Sequence, residues 1–461
     1  MDDLKKDHAG ADEKLKLEQW EKHSIYRVPA AVRDLHPYAY QPQVVSLGPF
    51  HHGDDHLLPM EQHKRRAVTH LLRRTDRPLE EFVAAVEEVA TELEDAYQDL
   101  GDDWRGERFL QVMVTDGCFL LEMMRTAGGR SEQDKESGGG YAENDPVFGK
   151  HGVLYMVPYV RRDMLIVENQ LPLLLLEKLV SVEKINDAGP KVDVRYEVNK
   201  MVLKFISPSC KTSPPKDRGL HPLDVFRKSL LSTDPDRKPN SCSETCCSVC
   251  LGSGGREDEE EDASSIVLSA TELYEAGIRF RKSESKTMSL HDVTFRCGVL
   301  SLPLIVVDDS TEYMYLNLMA FERLHAGAGN EVTAYVFFMD NIVDLPADVA
   351  LLTSKEIIKN AVGSDKEVAK LFNGLAKDVA LDPKSKLDDV QRSVNRYCRK
   401  PCHVWRANLV HTYFRSPWAF LSLAAAVFLL AMTVLQTVYT VLSFYQGGNG
   451  GDSPSVAPSP R

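Results

Sequence analysis

Asp163-Met-Leu-Ile-Val-Glu-Asn-Gln-Leu-Pro-Leu-Leu-Leu-Leu-Glu-Lys-Leu179 is among the most apolar stretches of the chain, yet Glu168, Asn169, Gln170 and Pro172 sit inside it. A membrane span, a reaction centre and a buried helix compete to explain it. Its longest uncharged run, Asn169 to Leu176, falls far short of the ~20 residues a bilayer crossing needs. Pro172 suits a first helical turn, and polar side chains just ahead of it suit the free N–H groups that open a helix. The stretch therefore reads as a buried junction between helices, with Glu168 able to pair with a buried arginine. It sets the fold class as mainly α.

Toward the N-terminus, ERFLQVMVTDGCFLLEMMR (107–125) is apolar nearly all round and reads as a central buried helix. RPLEEFVAAVEEVATELEDAYQDL (77–100) carries one stripe from Leu79 to Leu100, which predicts a single helix of about 35 Å at ~1.5 Å per residue. Met60, Ala67, Val68, Leu71 and Leu72 recur at helical spacing after Pro59, with Glu61 and Arg65 placed as an i,i+4 pair. Ile25 to Gly53 is extended, because Pro29, Pro37, Pro42 and Pro49 forbid a long helix.

Toward the C-terminus, AGGRSEQDKESGGG (127–140) reads as a flexible excursion and the Ser-, Pro-, Asp- and Cys-rich residues 207–265 as a flexible insertion. Ile278 to Val307 predicts a small antiparallel β element. YMYLNLMAFERL, TAYVFFMDNIVDL, Glu356 to Val362 and Lys366 to Val379 return to helical texture. The expected organisation is a charged tail (1–23), a large helical body (24–416), a transmembrane helix (417–446) and a short disordered tail (447–461).

Trp418 to Tyr445 holds no charge and only Gln436 as a strongly polar residue. It is long enough to cross a bilayer with tilt, leaving Trp418 at one interface and Tyr445 at the other. Arg392, Arg396, Arg399, Lys400, Arg406 and Arg415 precede it with no intervening acid, so the positive-inside rule places the N-terminal body in the cytosol. With so little chain after the span, insertion as a tail anchor is expected. The same basic residues suit anionic lipid.

The 461 residues are 43% hydrophobic, ordinary for a globular core, and 55 basic against 68 acidic residues give a net charge of −13. Such a balance repels a phosphate backbone, so nucleic acid is not an expected partner. Nine cysteines without secreted-domain spacing, and a start with no apolar signal core, point to reduced thiols facing the cytosol.

Chemistry-bearing clusters each have a plainer reading. SCSETCCSVC (241–250) could ligate zinc, but four thiols within so short a run cannot easily surround one ion, and a variable, oxidisable loop fits better. His51, His52, Asp54, Asp55, His56 and His63 crowd one region without a recognised ligand spacing, and turn or helix-entry roles fit better. Asp309 and Glu312 are spaced as N-cap and third residue of a helix. Cys118, in an apolar helix with no basic neighbour, is expected to be inert. No phosphate loop, nucleophile elbow or HExxH occurs. No catalytic, metal-ligating or cofactor-binding residue is assigned, and no cofactor is expected.

Collinear stretches nonetheless resemble a plant family known as domain of unknown function 247, or uncharacterised protein family 0481. They are IYRVPAAVRDLHPYAYQPQVVSLGPFHHG, PMEQHKRRAV, VTDGCFLLEM, DMLIVENQLPLLLLEKL, SATELYEAGIRF, GVLSLPLIVVDDSTEYMYLNLMAFE and YFRSPWAFLSLAAAVFLLAMTVLQTVY, and the resemblance covers the chain from about residue 24 to 445. The resemblance implies a largely helical body with a C-terminal membrane span, no established enzymatic activity and, for some grass members, a link to pollen–stigma self-incompatibility. The acidic, Cys-rich residues 207–265 depart from the family pattern. The expected function is that of a membrane-anchored binding or signalling component and not an enzyme, with the bilayer and an unidentified protein as partners. The alternative is a membrane-tethered enzyme, such as a metal-dependent hydrolase using the His51 to His63 region.

Overall fold

A computed structural model describes residues 20, 22–128, 140–185, 193–208, 214–215, 217–232, 268–285, 289–377, 386–399 and 417–447. The 127–140 excursion, the cysteine cluster and both terminal tails lie wholly or largely outside them. Of the 207–265 insertion, residues 217–232 are described and carry a buried helix, Pro222–Leu231. This part is core and not flexible insertion, because Leu223, Val225 and Phe226 pack inward.

The extended N-terminal segment carries one short turn of helix, α1 (Ala30–Arg33), before α2 (Leu58–Thr75), which starts with Pro59 in its first turn. Buried Met60, Lys64, Ala67 and Leu71 form one face of α2. Glu61 turns to Lys64 (2.6 Å) and not to Arg65 as the i,i+4 spacing suggests, because Lys64 is pulled into the core. Residues 77–100 are two helices, α3 (Leu79–Glu87) and α4 (Ala90–Asp95), and not the single long one expected. The break at Val89 has no proline or glycine. It lets α3 lie on its neighbours while the chain beyond α4 turns back to the N-terminal strand, where Ser24 and Ile25 donate to the Ala96 carbonyl and Gln98 donates to that of Ile25.

The central helix α5 (Glu107–Ala127) is buried as its composition predicts. α6 (Lys150–Asp163), α7 (Leu173–Glu183), α8 (Val194–Ile206) and α9 (Pro222–Leu231) follow, and α2, α3, α7 and α8 all contact α5. A Cβ at Gly117 would lie 2.5 Å from Leu179 Cδ1, so a larger residue there would force the Leu179 side chain of α7 to shift.

A second group begins with α10 (Ala270–Glu275), opened by a Ser269/Glu272 capping box. Strands β1 (Arg279–Lys282), β2 (Thr294–Arg296), β3 (Val299–Leu302) and β4 (Ile305–Val307) precede α11 (Thr311–Leu324), α12 (Glu331–Ile342) and α13 (Pro346–Ser354). Strand β5 (Ile358–Asn360), α14 (Asp365–Leu375), α15 (Lys386–Cys398) and α16 (Pro417–Gly447) complete the order. The β element is present but mixed: β2–β3 is antiparallel, whereas β1–β3 and β4–β5 are parallel. Glu356 to Val362, expected as helix, contains β5, because its partner Ile305–Val307 lies far earlier in the chain.

The polar residues of the opening stretch hold the N-terminal segment in place. Asp163 accepts the N–H groups of Gln43 (2.8 Å), Val44 (2.7 Å) and Val45 (2.9 Å). Asn169 accepts from Leu47 (2.7 Å) and donates to Val45 (3.0 Å), and Glu168 accepts from Val28 (2.6 Å) and from the half-exposed Arg33 (2.7 Å). Gln170 donates to the Met164 and Ile166 carbonyls and accepts from Leu223 at the start of α9. These side chains therefore satisfy a distant segment and α9, and not the N-terminus of α7, whose Leu173 N–H goes to the Leu220 carbonyl. Burial raises the Asp163 carboxyl against the lowering effect of its three N–H donors. Burial also raises Glu168, but hydrogen bonds from His51 and Val28 and the charge of Arg33 outweigh it and leave this carboxyl below its ordinary range.

His221 caps α9 through Nδ1 and is fully buried, edge-on to Phe321, whose other neighbour His325 bonds the Tyr26 hydroxyl (2.9 Å). Burial pushes His221 down to about 4. An unfolded histidine titrates near ~6.5, so this contribution is complete above that pH and is lost as pH falls toward about 4, amounting to roughly 3 kcal/mol. His221→Asn retains a cap acceptor without titrating. Urea unfolding midpoints of the variant are expected to fall less than those of the wild type between pH 6.5 and 4; parallel profiles would refute the assignment.

Candidate functional site

A broad surface groove lies where the N-terminal segment crosses α6 and the start of α11. Two hollows of about 760 and 790 Å³ share His36, Asp308, Asp309 and Glu312 and form one groove. The first is walled by Leu35, Tyr38, Pro158 and Tyr159, and the second by residues of α14, including Lys366 and Lys370.

Long-range bonds position the first hollow. Asn317, buried in α11, donates to the Ala39 carbonyl (2.8 Å) and accepts from Val167 (2.9 Å), which fixes the turn 34–40 against the opening stretch. Arg162 lies over the Tyr313 ring (4.9 Å) and donates to the Tyr38 carbonyl (2.8 Å). Held this way, Tyr38 is 79% exposed, and Tyr159 and Leu35 also face solvent. Burial pushes the Tyr313 hydroxyl up to about 12, so it stays protonated.

Asp308 accepts from the Ser310 N–H (2.9 Å) and hydroxyl (2.6 Å), so it organises the entry to α11. The capping role expected of Asp309 is not taken up: the helix starts at Thr311, its N-cap is Ser310, and no side chain caps it, while Asp308 braces the turn just ahead. Glu312 reaches His36 (3.3 Å), joining α11 to the N-terminal turn. Three carboxylates, Asp308, Asp309 and Glu312, face one guanidinium, Arg162, across the first hollow, leaving it acidic between aromatic walls. Such walls suit a cationic group with an aliphatic stem.

The His51 to His63 residues go to separate structural partners. His51 lies between Asp54 (3.1 Å) and Glu168 (3.3 Å), His52 is edge-on to Trp104, His56 meets the Pro42 carbonyl (2.9 Å) and His63 faces Arg66 (2.7 Å). Asp55 is exposed. Among the described residues no group of three or more His, Cys, Asp or Glu converges to hold a metal. Cys118 is buried, and burial together with Glu183 and Glu122 pushes its thiol well up, the condition of an unreactive cysteine.

Of the residues expected beside the span, Arg392 and Arg396 lie on α15, which docks on the body through Val394 and through Tyr397 against Phe295. Arg392 is paired with Asp389 (2.5 Å), so its charge is partly neutralised, and Arg399 follows α15 directly. Lys400, Arg406 and Arg415 lie outside the described residues. Trp418 and Tyr445 both fall within α16, of which Ala424–Ser443 is apolar and has no part buried against the body. This one helix, among the described residues, is long and apolar enough to cross a membrane.

The sequence reading missed Lys64, which is fully buried and paired with Asp116 (2.7 Å) and Glu61. Its signal was a lysine on the apolar stripe Met60–Lys64–Ala67–Leu71. It also missed the groove, whose walls come from four separate parts of the chain.

Comparison with known proteins agrees over nearly the whole length. A family model described as a plant protein of unknown function matches residues 25–432. A member of uncharacterised protein family 0481 from Arabidopsis thaliana is 31% identical over 93% of this chain and 89% of its own length. A second Arabidopsis thaliana protein of that name is 24% identical over 92% of this chain and 91% of its own. No solved structure matches. With its fold, its exposed C-terminal helix and a family match from the N-terminal clamp into that helix, the chain belongs to the plant family called domain of unknown function 247.

Proposed function

We propose that this protein is a membrane-anchored binding component, not an enzyme, whose groove takes a polypeptide segment carrying a lysine or arginine flanked by aliphatic residues. The body lies on the cytosolic side, in keeping with the basic residues ahead of α16. One observation carries the reading. Asp309, Glu312 and the rings of Tyr38 and Tyr159 are exposed in the groove, whereas the buried acids Asp163, Glu168 and Asp116 are committed to holding the N-terminal segment.

A synthetic peptide library with one basic residue scanned through aliphatic sequences tests it on the full chain in nanodiscs. Selected peptides are expected to be enriched in the basic residue and to bind Asp309→Lys and Tyr38→Ala about fivefold to thirtyfold more weakly, since a desolvated cation–π or charge contact is worth about 1–2 kcal/mol. Selection without basic enrichment, or equal binding to both variants, would remove the groove from the function.

A further inference from the structure

Within α16, Ser422, Ala426, Leu429, Thr433, Gln436, Thr440 and Ser443 follow one another at alternating steps of four and three residues. That spacing is the seam of a helix pair, and it gathers most of the polar side chains between Ser422 and Ser443 onto one line. The hydroxyls of Thr433 and Thr440 each donate to the carbonyl four residues earlier (2.8 Å), and Ser443 donates to that of Thr440 (2.9 Å). These small side chains satisfy their own donors and leave a shallow surface that another helix can approach closely.

Gln436 differs. Its amide carries two donors and an acceptor, and it lies within Ala424–Ser443, at hydrocarbon depth if the helix spans a bilayer. Hydrocarbon offers such a group no partner, so its polar atoms are best satisfied across a helix–helix contact.

We propose that α16 pairs in parallel with a second copy of itself along this line, with Gln436 bonded to Gln436. An amide is self-complementary, donating with its nitrogen and accepting with its oxygen, so two identical helices inserted with the same orientation bring matching groups to one depth. A two-fold arrangement of this kind closes and does not grow further. The inference rests on the membrane-spanning reading of α16.

The test uses full-length chain labelled with donor and acceptor fluorophores and reconstituted into phosphatidylcholine vesicles, with energy transfer followed as lipid is added. Wild-type chain is expected to retain transfer on dilution, whereas Gln436→Leu weakens association by about threefold to tenfold and Gln436→Asn restores part of it. With the native cysteines replaced by serine, cysteines introduced singly at 429, 433 and 440 are expected to cross-link, and those at 434 and 438 to do so far less. Gln436→Leu makes the helix more apolar, so it inserts at least as well as the parent. Equal transfer in wild type and Gln436→Leu, or cross-linking uniform around the helix, would overturn the pairing while leaving the span intact. Chain that fails to float with the vesicles would overturn both.

Discussion

Lys64→Met is expected to destabilise the body by about 3–5 kcal/mol, the cost of removing one partner from a buried ion pair. Lys64 is fully buried among Ser46 (2.9 Å), Glu61 (2.6 Å) and Asp116 (2.7 Å). Methionine fills much of the same volume, so the loss is electrostatic: Asp116, 1% exposed, is left without a countercharge and with only the Gly48 N–H (2.9 Å) bonded to it. Burial already raises the Asp116 carboxyl despite the presence of Lys64. Without the lysine it rises further and takes up a proton, so the deficit grows as pH rises above the unfolded value of ~3.9 and shrinks below it. Lys64→Met with Asp116→Asn keeps an acceptor for Gly48 and removes the stranded charge, and it should recover most of the loss. Hydrogen exchange at Val45 to Gly48 localises the effect, because these amides answer to Asp163, Asn169 and Asp116. A single variant within 1 kcal/mol of wild type would show that the network does not hold the segment.

Leu430→Arg combined with Val434→Arg is expected to release the protein from membranes. Each arginine near the centre of a span costs about 3 kcal/mol on translocon-derived scales, so the pair removes roughly 6 kcal/mol from insertion. Both positions are exposed on α16 and touch nothing in the body, so the helical fold and the groove should survive. Wild-type chain should remain in the pellet after alkaline carbonate and protect a tag placed after Arg461 from protease while its body is digested. The double variant should move to the supernatant with its tag cleaved. Carbonate-resistant double variant, or wild-type chain in the supernatant, would refute anchoring through α16.

Legibility in the sequence tracked the range of the interactions involved. α2, α5, α11, α12 and the apolar α16 were readable because their apolar spacing is a local property, as was the inert setting of Cys118. Single residues misled where the partner is remote. Asp163 is an acid in a greasy run until Gln43 to Val45 are placed beside it, some 120 positions earlier. Glu61 has two local candidates in Lys64 and Arg65 and pairs with Lys64, because the remote Asp116 draws that lysine into the core. Asp308, and not Asp309, braces the turn into α11, since one residue of shift in a helix start moves the whole assignment.

The sequence by itself determined the helical class of the body, the order of its main helices and the long apolar C-terminal helix, because side-chain periodicity and the length of a greasy run need no partner to be read. Only the tertiary structure decided the break between α3 and α4, the parallel pairing of β4 with β5, the clamp on residues 43–48 and the groove around Asp308. Each of these satisfies a backbone or charged group with one far away in the chain, and the free energy of such a contact exists only after folding has brought the two together.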